Sequence, residues 1–227
     1  MVCLFYLCRQ TGLVYTEFHM ETLGKIFNSN HRVKIMRLFL FNEELALDID
    51  DVVKRTRIKK PDVRKELGML IKIGFIKKKT FVKKVEKKSR KKNAKQEFKN
   101  IKVQGWVLNR TFELVRPLQL LLVESELINE KDIVKRVKKS GTIKLLILSG
   151  IFIRDNHRVV DILVVGNNLK RDILNREIAI IESEVGREIA YAFFDQKEFE
   201  YRMSMYDKLV RDILENDHKK LINKIVK

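Results

Sequence analysis

Cysteine is nearly missing from this chain: there are two, Cys3 and Cys8, both in the first ten residues. That excludes a disulfide framework and makes a reducing, cytoplasmic setting the natural expectation. A Cys-x4-Cys pair without a nearby histidine is also a poor zinc signal, so neither a metal nor another cofactor is expected. Two prolines and nine glycines in 227 residues argue against long flexible linkers. No apolar run approaches the roughly 20 residues of a membrane span. The apolar opening Val2-Cys3-Leu4-Phe5-Tyr6-Leu7 has no basic region before it and no small-residue cleavage pattern after it. It reads as neither a signal peptide nor an anchor. Residues 1–19 are read as an N-terminal extension, with Met20 the expected natural start, because the folded pattern begins directly after it.

Acidic residues are scarce in one place above all. Residues 54–102 hold 21 Lys and Arg among 49 positions and four acids (Asp62, Glu66, Glu86 and Glu97), a local +17 in a chain of net +18. Residues 1–125 carry 28 basic and 13 acidic side chains, whereas 126–227 carry 20 and 17. A basic half and a nearly neutral half follow, each of about 100 residues and each long enough for its own core. A positive field this concentrated is the electrostatic footprint of a nucleic-acid binder.

In the basic half, apolar residues from Leu23 to Leu40 recur at helical spacing, with a break at Asn28-Ser29-Asn30 that predicts a short helix and then a longer one capped by Ser29 or Asn30. A second helix is expected over Asp48–Arg55, with acids near the positive end of its dipole. After the turn Thr56-Arg57-Ile58-Lys59-Lys60, Pro61 suits the first helical position. Val63, Leu67, Leu70 and Ile71 then form one apolar stripe, and Gly74 stops the helix. Strands are predicted at Phe75–Val82 and Ile101–Leu108, joined by the lysine-rich Lys83–Lys95. Phe112–Glu124 reads as a helix, either a connector or a self-association surface.

Helix, helix, turn, helix and ribbon is the element order of a winged helix-turn-helix, and residues 20–110 resemble that family through Val63-Arg64-Lys65-Glu66-Leu67-Gly68-Met69-Leu70-Ile71-Lys72-Ile73-Gly74-Phe75-Ile76. The resemblance implies a third helix lying in the major groove, with Lys59, Lys60, Arg64 and Lys65 toward DNA. Arg64 is the expected base contact, because its planar fork can grip a guanine edge. The wing residues Lys83, Lys84, Lys87, Lys88, Arg90, Lys91 and Lys92 are expected on phosphates.

The second half alternates strand and helix, an α/β pattern. Strands are expected at Ile143–Leu148, Val159–Val165 and Arg187–Phe194. Helices are expected up to Gly141, over Lys170–Glu184, Gln196–Met205 and Lys208–Ile225. Leu148-Ser149-Gly150-Ile151 followed by Val159-Val160-Asp161-Ile162-Leu163 resembles the minimal nucleotidyltransferase domain of the DNA polymerase β superfamily. That family's motif is Gly-Ser, which approaches and binds phosphate, then Asp-x-Asp and a third carboxylate, and the carboxylates hold two Mg²⁺ ions. Gly150 and Asp161 match. Ile151 stands in place of the Ser and Val159 in place of the first Asp. The third carboxylate falls near Ala190, with Glu188 close by. These departures imply a fold kept without catalysis; Asp161 then reads as a strand-end carboxylate near Arg154 or Arg158, and His157 as a solvated loop residue.

The expected fold class is therefore α+β and α/β: a winged helix-turn-helix over 20–110, a helical connector over 111–140 and a degenerate transferase-like domain over 141–227. Small prokaryotic proteins with this arrangement are described as transcriptional regulators, and double-stranded DNA is the expected partner. RNA, a second copy of the chain or a small protein partner (as for an antitoxin) are the alternatives, together with an active nucleotidyltransferase that holds its substrate with the basic half.

Overall fold

The computed structural model describes residues 19–86, 98–123, 128–155 and 157–225. The first helices follow the sequence closely. Helix α1 (His19–Ile26) leads into α2 (Asn30–Phe41), whose cap is Ser29: its Oγ accepts the Arg32 N–H at 3.1 Å. Helix α3 (Ile49–Thr56) opens with a capping box, in which Asp48 and Asp51 each accept the other's backbone N–H. Helix α4 (Lys60–Lys72) begins one residue before the expected point, which makes Pro61 its second residue. Pro61 is still tolerated there, because the N–H groups of a helix's first turn have no intrahelical partner. Gly74 ends the segment at φ +80, a left-handed conformation that suits glycine.

Strands β1 (Ile76–Glu86) and β2 (Phe98–Leu108) pair antiparallel from Ile76↔Leu108 to Glu86↔Phe98. Lys83–Glu86 thus belong to the strand and not to the loop expected there. Charge does not forbid this, because a two-stranded ribbon satisfies its backbone by pairing, and of these residues Lys84 and Val85 face water. Leu47 adds a short bridge to Trp106, through hydrogen bonds of 2.9 and 2.8 Å. A Cβ on Gly105 would lie 2.4 Å from the Leu47 carbonyl oxygen, so only glycine allows this approach.

The first core gathers Val33, Phe39, Val52, Val63, Leu67, Leu70, Phe75 and Leu108, all essentially buried. Each such side chain contributes about 1.5–3 kcal/mol relative to exposure. The segment expected as a connector divides between the two halves. Helix α5 (Val115–Leu122) places Leu122 in the first core, while α6 (Glu130–Lys138) places Ile133 and Val137 in the second.

The second sheet has the order β5-β4-β3-β6, built from β3 (Thr142–Leu148), β4 (Ile162–Asn167), β5 (Tyr191–Asp195) and β6 (Lys219–Asn223). Only β4 and β5 are parallel. Alternating side chains serve two cores: Leu146, Leu148, Ile162 and Val164 face α6 and α7 (Arg171–Val185). Leu145, Ile147, Leu163 and Val165 face α8 (Gln196–Ser204) and α9 (Lys208–Glu215). The result is three layers, helices on both faces of a mixed sheet.

Three expectations shift here. Strand β4 starts at Ile162 and not Val159, and β5 at Tyr191 and not Arg187, because the residues before them form the loops around Asp161. The final helix expected over Lys208–Ile225 breaks after Glu215. Asn216 is extended and its Nδ2 donates to the Asp212 carbonyl, which closes the helix. Residues 219–223 then pair with β3 and place Leu221 and Ile222 against the second core.

Arg37 joins the two halves from the middle of α2. Its guanidinium is buried and donates to the Leu122 carbonyl at 2.9 Å and the Glu184 carbonyl at 3.0 Å, near the C-terminal ends of α5 and α7. A cation suits those negative helix ends. Burial lowers its pKa to about 10, so the charge persists at neutral pH. Asn42 Nδ2 donates to the Leu38 and Gly186 carbonyls. Gly186, at φ +90, lets the end of α7 pack on α2: a Cβ there would stand 2.7 Å from the Arg37 carbonyl carbon and the Leu38 nitrogen.

Candidate nucleic-acid interface

Helix α4 has one buried and one open face. Val63, Leu67 and Leu70 point into the core, with Ile71 partly buried beside them. Pro61, Arg64, Lys65, Met69 and Lys72 are exposed. Among the described residues, Lys59, Arg64, Lys65 and Lys72 have no ion-pair or side-chain hydrogen-bond partner. Of the two acids of this helix, Asp62 is half-buried in the first turn, and Glu66 is turned inward and buried, accepting from Ser29 Oγ at 2.7 Å and Arg32 Nε at 2.8 Å. Glu66 thus fixes α4 to the start of α2 and leaves the outer face cationic.

Two of the expected DNA contacts are engaged inside the protein. Lys60 Nζ meets Asp50 at 2.6 Å across the turn, an exposed pair of little energetic weight. Lys83 Nζ reaches Asp48 at 2.8 Å and Asp51 at 2.6 Å, which ties the ribbon to the capping box of α3. Burial opposes charge on both partners, yet the hydrogen bonds between them prevail. Lys83 is held above the ordinary lysine value, and Asp48 below the usual carboxylate range. Lys83 therefore works as a structural pin. Lys84, pointing to the other face of the strand, is exposed and unpaired among the described residues. Lys87, Lys88, Arg90, Lys91 and Lys92 lie outside the described residues, as do Cys3 and Cys8.

The ribbon also offers cations that the sequence reading passed over. Directly opposed residues share a face of an antiparallel pair. Lys78/Trp106, Thr80/Gln104, Val82/Lys102 and Lys84/Asn100 therefore line one face, on which Lys78, Lys84 and Lys102 are exposed. Period-two counting from Lys84 marks this set once the strand runs past Val82, the end expected from the sequence.

In the second half, Asp161 does not meet Arg154 or Arg158. It is buried, and its carboxylate accepts two backbone N–H groups: Ile151 at Oδ1 (3.0 Å) and Ala190 at Oδ2 (2.9 Å). It thereby holds a short 3-10 turn (Gly150–Ile153) against the start of β5. Gly150, at φ +54, leaves room for it, since a Cβ would fall 2.0 Å from Oδ1. Ser149 Oγ donates to the Val160 carbonyl. Val159 is exposed, and Glu188 pairs with Arg55 of α3 at 3.2 Å. Arg158 instead meets Asp155 at 2.7 Å, and His157 is exposed. Among the described residues no group of three or more His, Cys, Asp or Glu could hold a metal ion.

A cleft of about 210 Å³ lies where α3 meets the end of α7, lined in part by Lys54, Arg55, Arg57, Glu182 and Glu188. Burial pushes the Glu182 carboxyl up, against the hydrogen bond it accepts from the Ile189 N–H. No described helix is long and apolar enough to cross a membrane. Compared with models of known families, with curated proteins and with solved structures, the chain matches none.

Proposed function

We propose that the chain is a DNA-binding protein of the transcriptional-regulator kind, working in a cytoplasmic setting without enzymatic activity. In this reading residues 20–110 act as a winged helix-turn-helix. The second half is a nucleotidyltransferase-like domain serving as a scaffold. The observation that carries the proposal is the outer face of α4, where Arg64, Lys65 and Lys72 stand unpaired while Glu66 is buried on the opposite side. Uncompensated cations on a rigid helix cost self-repulsion unless a polyanion neutralises them. Duplex DNA is the favoured polyanion, because the major groove of B-DNA admits a helix, whereas the deep, narrow groove of A-form RNA does not.

Arg64 is assigned to a base edge, and Lys65, Lys78, Lys84 and Lys102 to phosphates, with Lys83 removed from that set. On the scaffold side, Asp161 spends both carboxylate oxygens on backbone N–H groups, and the positions expected for its companions hold an exposed Val159 and Ala190.

Selection of bound duplexes from a random pool, followed by titration at 50 and 200 mM salt, tests the proposal. With six to ten phosphate contacts, affinity falls by about 10³–10⁵ over that range. Arg64→Ala should erase sequence preference at one position, by about 1–3 kcal/mol. A flat salt response, or metal-dependent transfer of a labelled nucleotide that Asp161→Ala abolishes, would overturn it.

A further inference from the structure

Gly68 sits in the middle of α4 on the side away from the core, and the fold gives it no reason to be glycine. The other described glycines have one. Gly74, Gly141, Gly150 and Gly186 adopt positive φ, and Gly24, Gly105 and Gly166 would drive a Cβ to within 2.4 Å of a neighbouring atom. At Gly68 an added Cβ would meet nothing within 4 Å, and its backbone is ordinary helix. Glycine is the least favourable residue after proline in a helix interior, so it weakens α4 with no compensating contact inside the molecule.

The surroundings supply a reason outside the molecule. Residues three and four apart are neighbours on a helix surface. Gly68 is therefore bordered by Arg64 and Lys65 on the preceding turn and by Ile71 and Lys72 on the next; Ile71 is partly buried against the core, and the three cations are exposed and unpaired among the described residues. On the solvent side the three cations border a stretch of half-buried backbone with no side chain over it. We infer that Gly68 is the point of closest approach between α4 and the duplex: the wall of the DNA groove packs directly on its backbone, inside the reach of the flanking cations. Resting on the DNA-binding reading above, this assigns α4 a contact depth that only a residue without a side chain permits.

Stability and affinity should move in opposite directions. Gly68→Ala should raise Tm, by about 2–4 °C for a chain of this size, and weaken duplex binding about tenfold or more. Gly68→Gln, a longer helix former, should keep the gain in Tm and weaken binding further. Measurement is by thermal melts and by duplex titration of the full chain at one fixed salt concentration. If the wild type binds duplexes and both variants bind as well as it does, the inference is wrong. It is equally wrong if Gly68→Ala lowers Tm, since the glycine would then serve the fold. If the wild type itself ignores duplex DNA at low salt, the DNA-binding reading fails, and the inference with it.

Discussion

The two halves of the chain differ in how much charge they leave uncompensated on one face. In the second half many cations are answered locally: Arg136 pairs with Glu184, Lys139 with Glu177, Arg158 with Asp155, Arg202 with Glu198 and Asp207, and Arg211 with Glu215, although exposed Lys135, Lys138, Arg176 and Lys197 are unpaired among the described residues. In the first half pairs form on the inner side and, at the surface, between Lys60 and Asp50 and between Arg110 and Glu43 and Glu44. Arg32 meets Glu66 and Lys83 meets Asp48 and Asp51, while Arg64, Lys65, Lys72, Lys78, Lys84 and Lys102 stay unanswered among the described residues. The contrast teaches that total charge is less informative than where charge is left uncompensated. A surface that neutralises itself needs no partner for that purpose, whereas the proposed function assigns the α4 and ribbon faces a polyanion.

Substitutions can break this comparison, beginning with the junction that unites the halves. Arg37→Ala should cost the most, since it strands the Leu122 and Glu184 carbonyls at about 1–3 kcal/mol each. Urea denaturation would register that loss, and an unchanged midpoint would mean that the junction carries little of the stability. Gly186→Ala should follow at about 2–3 kcal/mol, because the new methyl meets the backbone of α2 and the position holds positive φ. Asp161→Asn should cost about 1–3 kcal/mol, since an amide can accept only one of the two backbone N–H groups and turns its own donor toward the other. It should leave duplex titrations unaltered, and a loss of binding would give the second half a direct role in recognition.

Lys83→Met should cost below about 1 kcal/mol, being a partly exposed pair. Its pH dependence is specific. Asp48 has a lowered folded pKa, so its contribution is present above the unfolded value of about 3.9 and disappears as pH falls through the folded value. Lys83 has a raised folded pKa, so its contribution is present below about 10.4 and is lost as pH rises through the folded value. The difference in stability between wild type and variant should therefore be flat across the neutral range and shrink at both extremes. Smallest of all on stability is Arg64→Ala with Lys65→Ala, within about 0.5 kcal/mol because neither residue touches the core. The same pair should weaken duplex binding, and a stability loss without a binding loss would erase the contrast between the halves.

Much of the first half was readable from spacing. Val63, Leu67 and Leu70 marked the inner face of α4, and Ser29, Asp48 and Gly74 marked helix ends, because helical period and end chemistry are local. The ribbon's length was not readable, since Lys83–Glu86 carry no strand signature apart from their pairing with 98–101. Strand β6 was hidden for the same reason: Leu221 and Ile222 fit a helix or a strand until β3 offers its edge. The role of Asp161 was missed because the N–H groups it accepts, on Ile151 and Ala190, come from segments far apart in sequence.

By itself the sequence determined the helices of the basic half, the α/β character of the neutral half and the position of the positive charge, all set by residues within a turn or two of one another. Tertiary structure decided which lysines are held by aspartates and which face outward. It decided that Arg37 bridges the halves, and that Gly68 alone among the described glycines has open space around it. Those outcomes depend on contacts between residues distant in the chain, which no local pattern records.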